Sequence, residues 1–245
     1  MKIEWGMKKK IYIANWKLFL SGLQTRLWCA RHADGLRDLS AQAKIIVCPE
    51  SVFIESTRQL LDAAIGVGAQ YCSTYSAGAH TGETSPVSLR AVGATHCIVG
   101  HSEARANGCE SSEDVADKVS VLLEQGIDPI VCIGEKINEQ LAPVMARLVN
   151  LSASSRELMV AYEPEWAIGG DDIPSREHLV AACVAIRELV RAAMPALEVV
   201  LLYGGSVNEI TAQKLAESDE FDGYLIGRAS ADFQTFKNIV SSSYK

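Results

Sequence analysis

The run Met159-Val160-Ala161-Tyr162-Glu163-Pro164-Glu165-Trp166-Ala167-Ile168-Gly169-Gly170-Asp171-Asp172-Ile173-Pro174 holds a carboxylate where chemistry can use it. Met159 to Tyr162 are apolar enough for a strand buried on both faces. Pro164 has no N–H for a ladder, so the strand stops at about Glu163. The following residues pair two glycines with flanking prolines, the composition of a loop with stiff hinges and a pliable tip. An aromatic neighbour and a closable flap let a carboxylate work as a base near neutral pH. The same stretch also fits a strand-capping Glu on a solvated loop, so the other reactive groups have to decide.

Those groups recur after other apolar runs. Ala14-Asn15-Trp16-Lys17 ends one of them and supplies a fixed cation if Lys17 points inward, or a solvated lysine if it does not. Gly100-His101-Ser102-Glu103 ends another. The turn after His101 can open a helix, whose N-terminus disfavours imidazolium and keeps the ring neutral, able to donate to a carbonyl and shuttle protons. His32, His80, His96 and His178 lack this placement and are assigned structural roles. Tyr203-Gly204-Gly205-Ser206 and Ile226-Gly227-Arg228 each present backbone N–H groups at loop or helix starts, a geometry that binds phosphate oxygens.

Positioning these groups together requires particular elements. Short apolar runs predict strands over residues 11–15, 45–48, 65–69, 96–100, 129–133, 159–163, 199–203 and 223–226. Helical composition and spacing fill 24–39, 52–63, 85–92, 112–125, 140–150, 175–194, 211–216 and 232–240. Strict alternation implies an α/β protein with a parallel sheet, and eight units fit a closed (β/α)8 barrel spanning 1–245 as a single domain. An open doubly wound sheet is the alternative, but no G-x-G-x-x-G follows the first strand. In a barrel the strand ends gather at one face, with the phosphate site at the loops after strands seven and eight.

The 245 residues carry a net charge of −7, which excludes modes of nucleic-acid or anionic-membrane binding that rely on a basic surplus. The N-terminus lacks the apolar core of a secretory signal, and Met7 offers an alternative start. No apolar run approaches the roughly 18–20 residues that cross a bilayer. The seven cysteines are odd in number and without C-x-x-C spacing, which reads as buried free thiols in a reducing cytoplasm. No ligand cluster implies a metal or an organic cofactor.

Asn15-Trp16-Lys17, Gly100-His101-Ser102-Glu103, Cys132-Ile133-Gly134-Glu135, Ala161-Tyr162-Glu163-Pro164, Trp166-Ala167-Ile168-Gly169 and Tyr203-Gly204-Gly205-Ser206-Val207-Asn208 together resemble the triosephosphate isomerase family, in the family's order along nearly the whole chain. The barrel, the neutral imidazole and the closing flap are properties for which that family is itself the reference case, so they stand as what the resemblance implies. It implies interconversion of dihydroxyacetone phosphate and glyceraldehyde 3-phosphate through an enediolate. Glu163 would be the base, His101 the neutral electrophile, Lys17 the cation that holds substrate and enediolate, and Asn15 the group that positions Lys17. Glu103 and Cys132 would support them from behind. Backbone N–H groups near Gly170, Gly205, Ser206 and Gly227, with Arg228, would hold the phosphate. The loop between Gln70 and Pro86 would reach a second subunit, making a homodimer.

Several residues depart from the family pattern. The flap tip reads Gly170-Asp171-Asp172 where the family has T-G-K; Arg228 replaces the second phosphate-loop glycine; Leu18 and Phe19 follow Lys17; and Glu165 sits in the flap hinge. A carboxylate about 4 Å from a phosphate charge costs roughly 1 to 4 kcal/mol, which Arg228 can offset. Arg228 and the Ile173-Pro174 flap end are similar to the branch that interconverts erythrulose 1-phosphate and erythrulose 4-phosphate in erythritol breakdown. That tetrulose-phosphate isomerase is the alternative function, and a non-catalytic binding barrel a second one.

Overall fold

The computed structural model describes residues 9–151, 157–167, 170, 173–217 and 220–242. The strands are β1 (Ile11–Asn15), β2 (Lys44–Cys48), β3 (Gly66–Ala69), β4 (His96–Val99), β5 (Asp128–Ile133), β6 (Glu157–Tyr162), β7 (Glu198–Tyr203) and β8 (Gly223–Ile226). They close in chain order into one parallel barrel. Between them run α1 (Gly22–Ser40), α2 (Ile54–Leu60), α3 (Pro86–Ala91), α4 (Ser102–Ala106), α5 (Ser112–Glu124), α6 (Ile137–Asn150), α7 (Arg176–Ala193) and α8 (Glu209–Ala216), with α9 (Phe233–Ser242) last. All eight expected strands form, with ends moved by at most two residues. The second helix is shorter than expected: a 3-10 turn takes Ser51–Phe53, and Leu61 turns to extended backbone. The residues after His101 form a distinct short helix, α4.

Local sequence explains the boundaries. Ser111 and Asn208 close capping boxes at α5 and α8, Ser175 accepts from His178 N–H at the start of α7, and Ser85 precedes Pro86 at α3. Within strands the period of two sorts side chains to two cores. Ile11, Ile13, Ile46, Ile98, Ile130, Met159, Ala161, Val200, Leu202 and Leu225 fill the barrel. Tyr12, Val47, Val131, Val160 and Leu201 point outward against Leu36, Val119, Leu141, Ile186 and Ile239. Each fully buried aliphatic contributes about 1.5–3 kcal/mol. The closing seam between β1 and β8 needs Gly223, because a Cβ there would overlap the backbone of Ile11.

Inward phase carries directly into function. Ile11 and Ile13 set Asn15 inward, Met159 and Ala161 set Glu163 inward, and the same step puts Gly204 and Gly227 at the mouth. At the opposite end of the barrel His96 is buried beside Gly66. Its Nδ1 meets Thr95 Oγ1 at 2.7 Å, and burial, helped by the Lys44 charge, lowers its pKa to about 3. The segment 70–86 is tied to itself by Ser73 N–H to Thr84 O (2.8 Å), Tyr71 OH to Glu83, and a stacked Tyr75–His80 pair. No helix among the described residues is long and apolar enough to cross a membrane.

Candidate active site

Glu163 follows β6 directly, its N–H donating to Ile133 O at 2.7 Å. The side chain is 1% exposed. Oε2 accepts the Ser102 N–H at 2.8 Å. Oε1 is buried without a hydrogen-bond partner among the described residues and lies 3.4 Å from His101 Nε2. Cys132 packs behind this carboxylate; burial, then the Glu163 charge, raises its thiol well above the usual range. Gly204 leaves the space in front: a Cβ there would stand 2.8 Å from Glu163 Cγ.

His101 is aimed by its neighbours. Gly100 takes a left-handed φ of 74°, and a Cβ on it would meet Cys132 O at 2.9 Å. Its N–H donates to Glu110 Oε2 at 2.7 Å, and its carbonyl accepts Arg105 Nε at 2.7 Å. His101 then caps α4, its Nδ1 accepting the Glu103 N–H at 3.2 Å. With Nδ1 an acceptor, a neutral ring carries its proton on Nε2, the nitrogen that faces Glu163.

Lys17 adopts φ 45°, rare for a residue with a Cβ. Two side chains hold that conformation: its N–H donates to Asn15 Oδ1 at 3.2 Å, and its carbonyl accepts Gln70 Nε2 at 3.0 Å. The ammonium pairs with Glu103 Oε1 at 2.7 Å. Burial works against the Glu103 charge, but the Lys17 hydrogen bond and charge outweigh it and hold Glu103 below the usual carboxylate range. Lys17, Glu103, His101 and Glu163 thus form a connected series across the mouth.

Pro164 leads into a 3-10 turn, Glu165–Ala167, at the position expected for the flap hinge. Trp166 Nε1 donates to Glu135 Oε1 at 3.2 Å, and Tyr162 OH donates to the same oxygen at 2.9 Å. His178 Nε2 is 2.8 Å from Tyr162 OH and 3.2 Å from Glu135 Oε1. After β7, Gly205 lies so close to Tyr203 that a Cβ would overlap its hydroxyl, and the Ser206 N–H donates to Ala167 O at 3.3 Å. Gly170 is exposed. Gly227 starts a 3-10 turn over Arg228–Ala231, with Arg228 exposed. The flap-tip positions Asp171 and Asp172 lie outside the described residues, as does Met7.

The structure brings Lys17, Asn15, His101, Glu163, Glu103 and Cys132 together. Sequence reasoning missed Gln70, the Glu135–His178 link to the hinge, and a buried pair behind Gly100. In that pair Lys118 Nζ is 2.6 Å from Glu110 Oε1, and both side chains are 2% exposed. The eight-residue separation of Glu110 and Lys118 gives no local signal, whereas Gln70 directly follows β3 and was open to the same strand-end test that found Lys17. No group of three or more potential metal ligands occurs among the described residues. A buried carboxylate oxygen with no hydrogen-bond partner among the described residues, an imidazole N–H and an ammonium facing one mouth can move a proton at a carbon beside a carbonyl.

Comparison with known proteins gives a family model described as triosephosphate isomerase, matching residues 10–243. A protein named triosephosphate isomerase from Acidiphilium cryptum is 35% identical, covering 96% of this chain and 98% of its own length. Those from Bacteroides fragilis and a Vibrio species are each 35% identical, covering 96% and 97% of this chain and 99% of their own lengths. Nothing in these similarities supports a tetrulose-phosphate substrate or a non-catalytic barrel.

Proposed function

The chain belongs to the triosephosphate isomerase family, an aldose–ketose sugar-phosphate isomerase by that membership, and from it we propose that the protein interconverts dihydroxyacetone phosphate and glyceraldehyde 3-phosphate. The observation that carries the reading is the buried Glu163 Oε1, without a hydrogen-bond partner among the described residues, 3.4 Å from His101 Nε2 and inside the same mouth as Lys17. Glu163 takes a proton from the carbon beside the carbonyl and returns it to the neighbouring carbon. His101 Nε2 gives its proton to the carbonyl oxygen as negative charge gathers there and takes one back from the adjacent hydroxyl oxygen, and the Lys17 ammonium stabilises the enediolate. Asn15, Gln70 and Glu103 hold Lys17; Cys132 and Gly204 hold Glu163.

The phosphate is met by backbone N–H groups around Gly170, Gly205, Ser206 and Gly227, with the Arg228 side chain added. The Ser206 N–H must leave Ala167 O to take part. Excluding water protects an enediolate phosphate from eliminating its phosphate group. The ordered segment 70–86, with Tyr75 and Leu18 exposed, supports a homodimer made through that loop. Seven free cysteines, six of them buried, support a cytoplasmic setting.

Turnover of dihydroxyacetone phosphate, glyceraldehyde 3-phosphate and both erythrulose phosphates by one preparation tests this. The triose pair is expected to be the better substrate; turnover of the tetrulose pair alone overturns the reading.

A further inference from the structure

Two side chains at the lip of the mouth touch each other from opposite ends of the chain. The Arg228 guanidinium carbon lies 4.9 Å from the centre of the Phe19 ring. The loops that carry them are also joined by Trp16 Nε1 donating to Ser230 O at 3.2 Å. Between the two loops, Gly227 packs on Lys17, where a Cβ would stand 3.4 Å from Lys17 Cε. Phe19 is fixed in turn by its N–H, which donates to Trp16 O at 2.9 Å around the left-handed Lys17. Gly227 thus faces the Lys17 side chain, while the residue after it meets the Phe19 ring.

An exposed arginine samples many rotamers, and an aromatic face within about 6 Å of the cation narrows them. We propose that Phe19 is a positioning residue for phosphate binding: it stacks the Arg228 guanidinium at the lip beside Gly227, so that an incoming phosphate ester meets a side-chain cation there in addition to Lys17 and the backbone N–H groups. The proposal deepens the sugar-phosphate reading and rests on it. It gives Phe19 a role in binding the charged end of the substrate and none in proton transfer.

The test measures KM and kcat for dihydroxyacetone phosphate, and the inhibition constant of inorganic phosphate. Both are taken for the wild type, Phe19→Leu, Phe19→Tyr, Arg228→Leu and the Phe19→Leu/Arg228→Leu double variant. Phe19→Leu should raise the phosphate inhibition constant by about two- to five-fold, the range of an exposed cation–π contact. KM should rise more than kcat falls, Tyr should restore both, and Phe19→Leu should add nothing once Arg228 is Leu. An inhibition constant unmoved by Phe19→Leu, or moved equally with and without Arg228, overturns the proposal alone. A wild type that neither turns over the substrate nor is inhibited by phosphate removes the sugar-phosphate reading and this proposal with it.

Discussion

Gly204→Ala should disable the protein by moving a single atom group. An ideal Cβ at this position stands 2.8 Å from Glu163 Cγ. Carbon atoms rest about 3.5–4.0 Å apart, so one partner has to retreat by roughly 0.7–1.2 Å. The Gly204 backbone is held by its N–H donating to Tyr162 O at 2.8 Å, which makes the Glu163 side chain the part that yields. Its carboxylate then loses its present relation to His101, 3.4 Å away, and to the Ser102 N–H at 2.8 Å. A misplacement of about 1 Å costs about 100-fold in rate. Overpacking costs about 1–3 kcal/mol, within the roughly 5–15 kcal/mol by which domains are stable, so the variant should stay folded. A coupled assay for kcat and KM, beside a circular-dichroism melt, reads both quantities. A folded variant whose kcat stays within about three-fold of wild type would refute the steric argument.

Other consequences are as direct. His96 titrates near 3 in the folded protein because burial, then the Lys44 charge, disfavours its cation. The unfolded chain binds that proton below about 6.5, so stability is complete above that pH and falls toward 3 by about 1.4 kcal/mol per unit, roughly 2 kcal/mol by pH 5. His96→Phe should therefore narrow the difference in Tm between pH 7 and pH 5; an undiminished difference would show that another group controls acid stability. Glu103→Gln removes a partly exposed ion pair worth about 0.2–1 kcal/mol, so Tm should barely change while kcat/KM falls about ten-fold as Lys17 loses its tether. Equal activity would free Lys17 of any dependence on Glu103. Light scattering should give twice the monomer mass, and a monomer at assay concentration would overturn the dimer.

The barrel was legible because its signals are local: buried strands of four to six residues, punctuated by Gly, Pro and cap residues, repeat eight times. The placement of Lys17, His101 and Glu163 was legible for the same reason, since each stands within two residues of a strand end. Contacts between neighbouring loops at the mouth left no local trace. Glu135 and Trp166 lie 31 residues apart, and Arg228 meets Phe19 from the other end of the chain. The left-handed backbone of Lys17 was likewise hidden, because a lysine there depends on Asn15 and Gln70 to hold it. Helix α4 was read only as an opening after His101, without bounds, because five residues carry no amphipathic period.

In the proposed reaction Glu163 carries a proton between two carbons. Dihydroxyacetone phosphate incubated in deuterium oxide with the wild type should acquire solvent deuterium at carbon as it isomerises, read by proton NMR. Glu163→Gln, at equal concentration and with an unchanged circular-dichroism spectrum, should slow this by orders of magnitude, since it removes the proton acceptor itself. Deuterium entering at an undiminished rate in the Gln variant, or none entering with the wild type, would contradict the account.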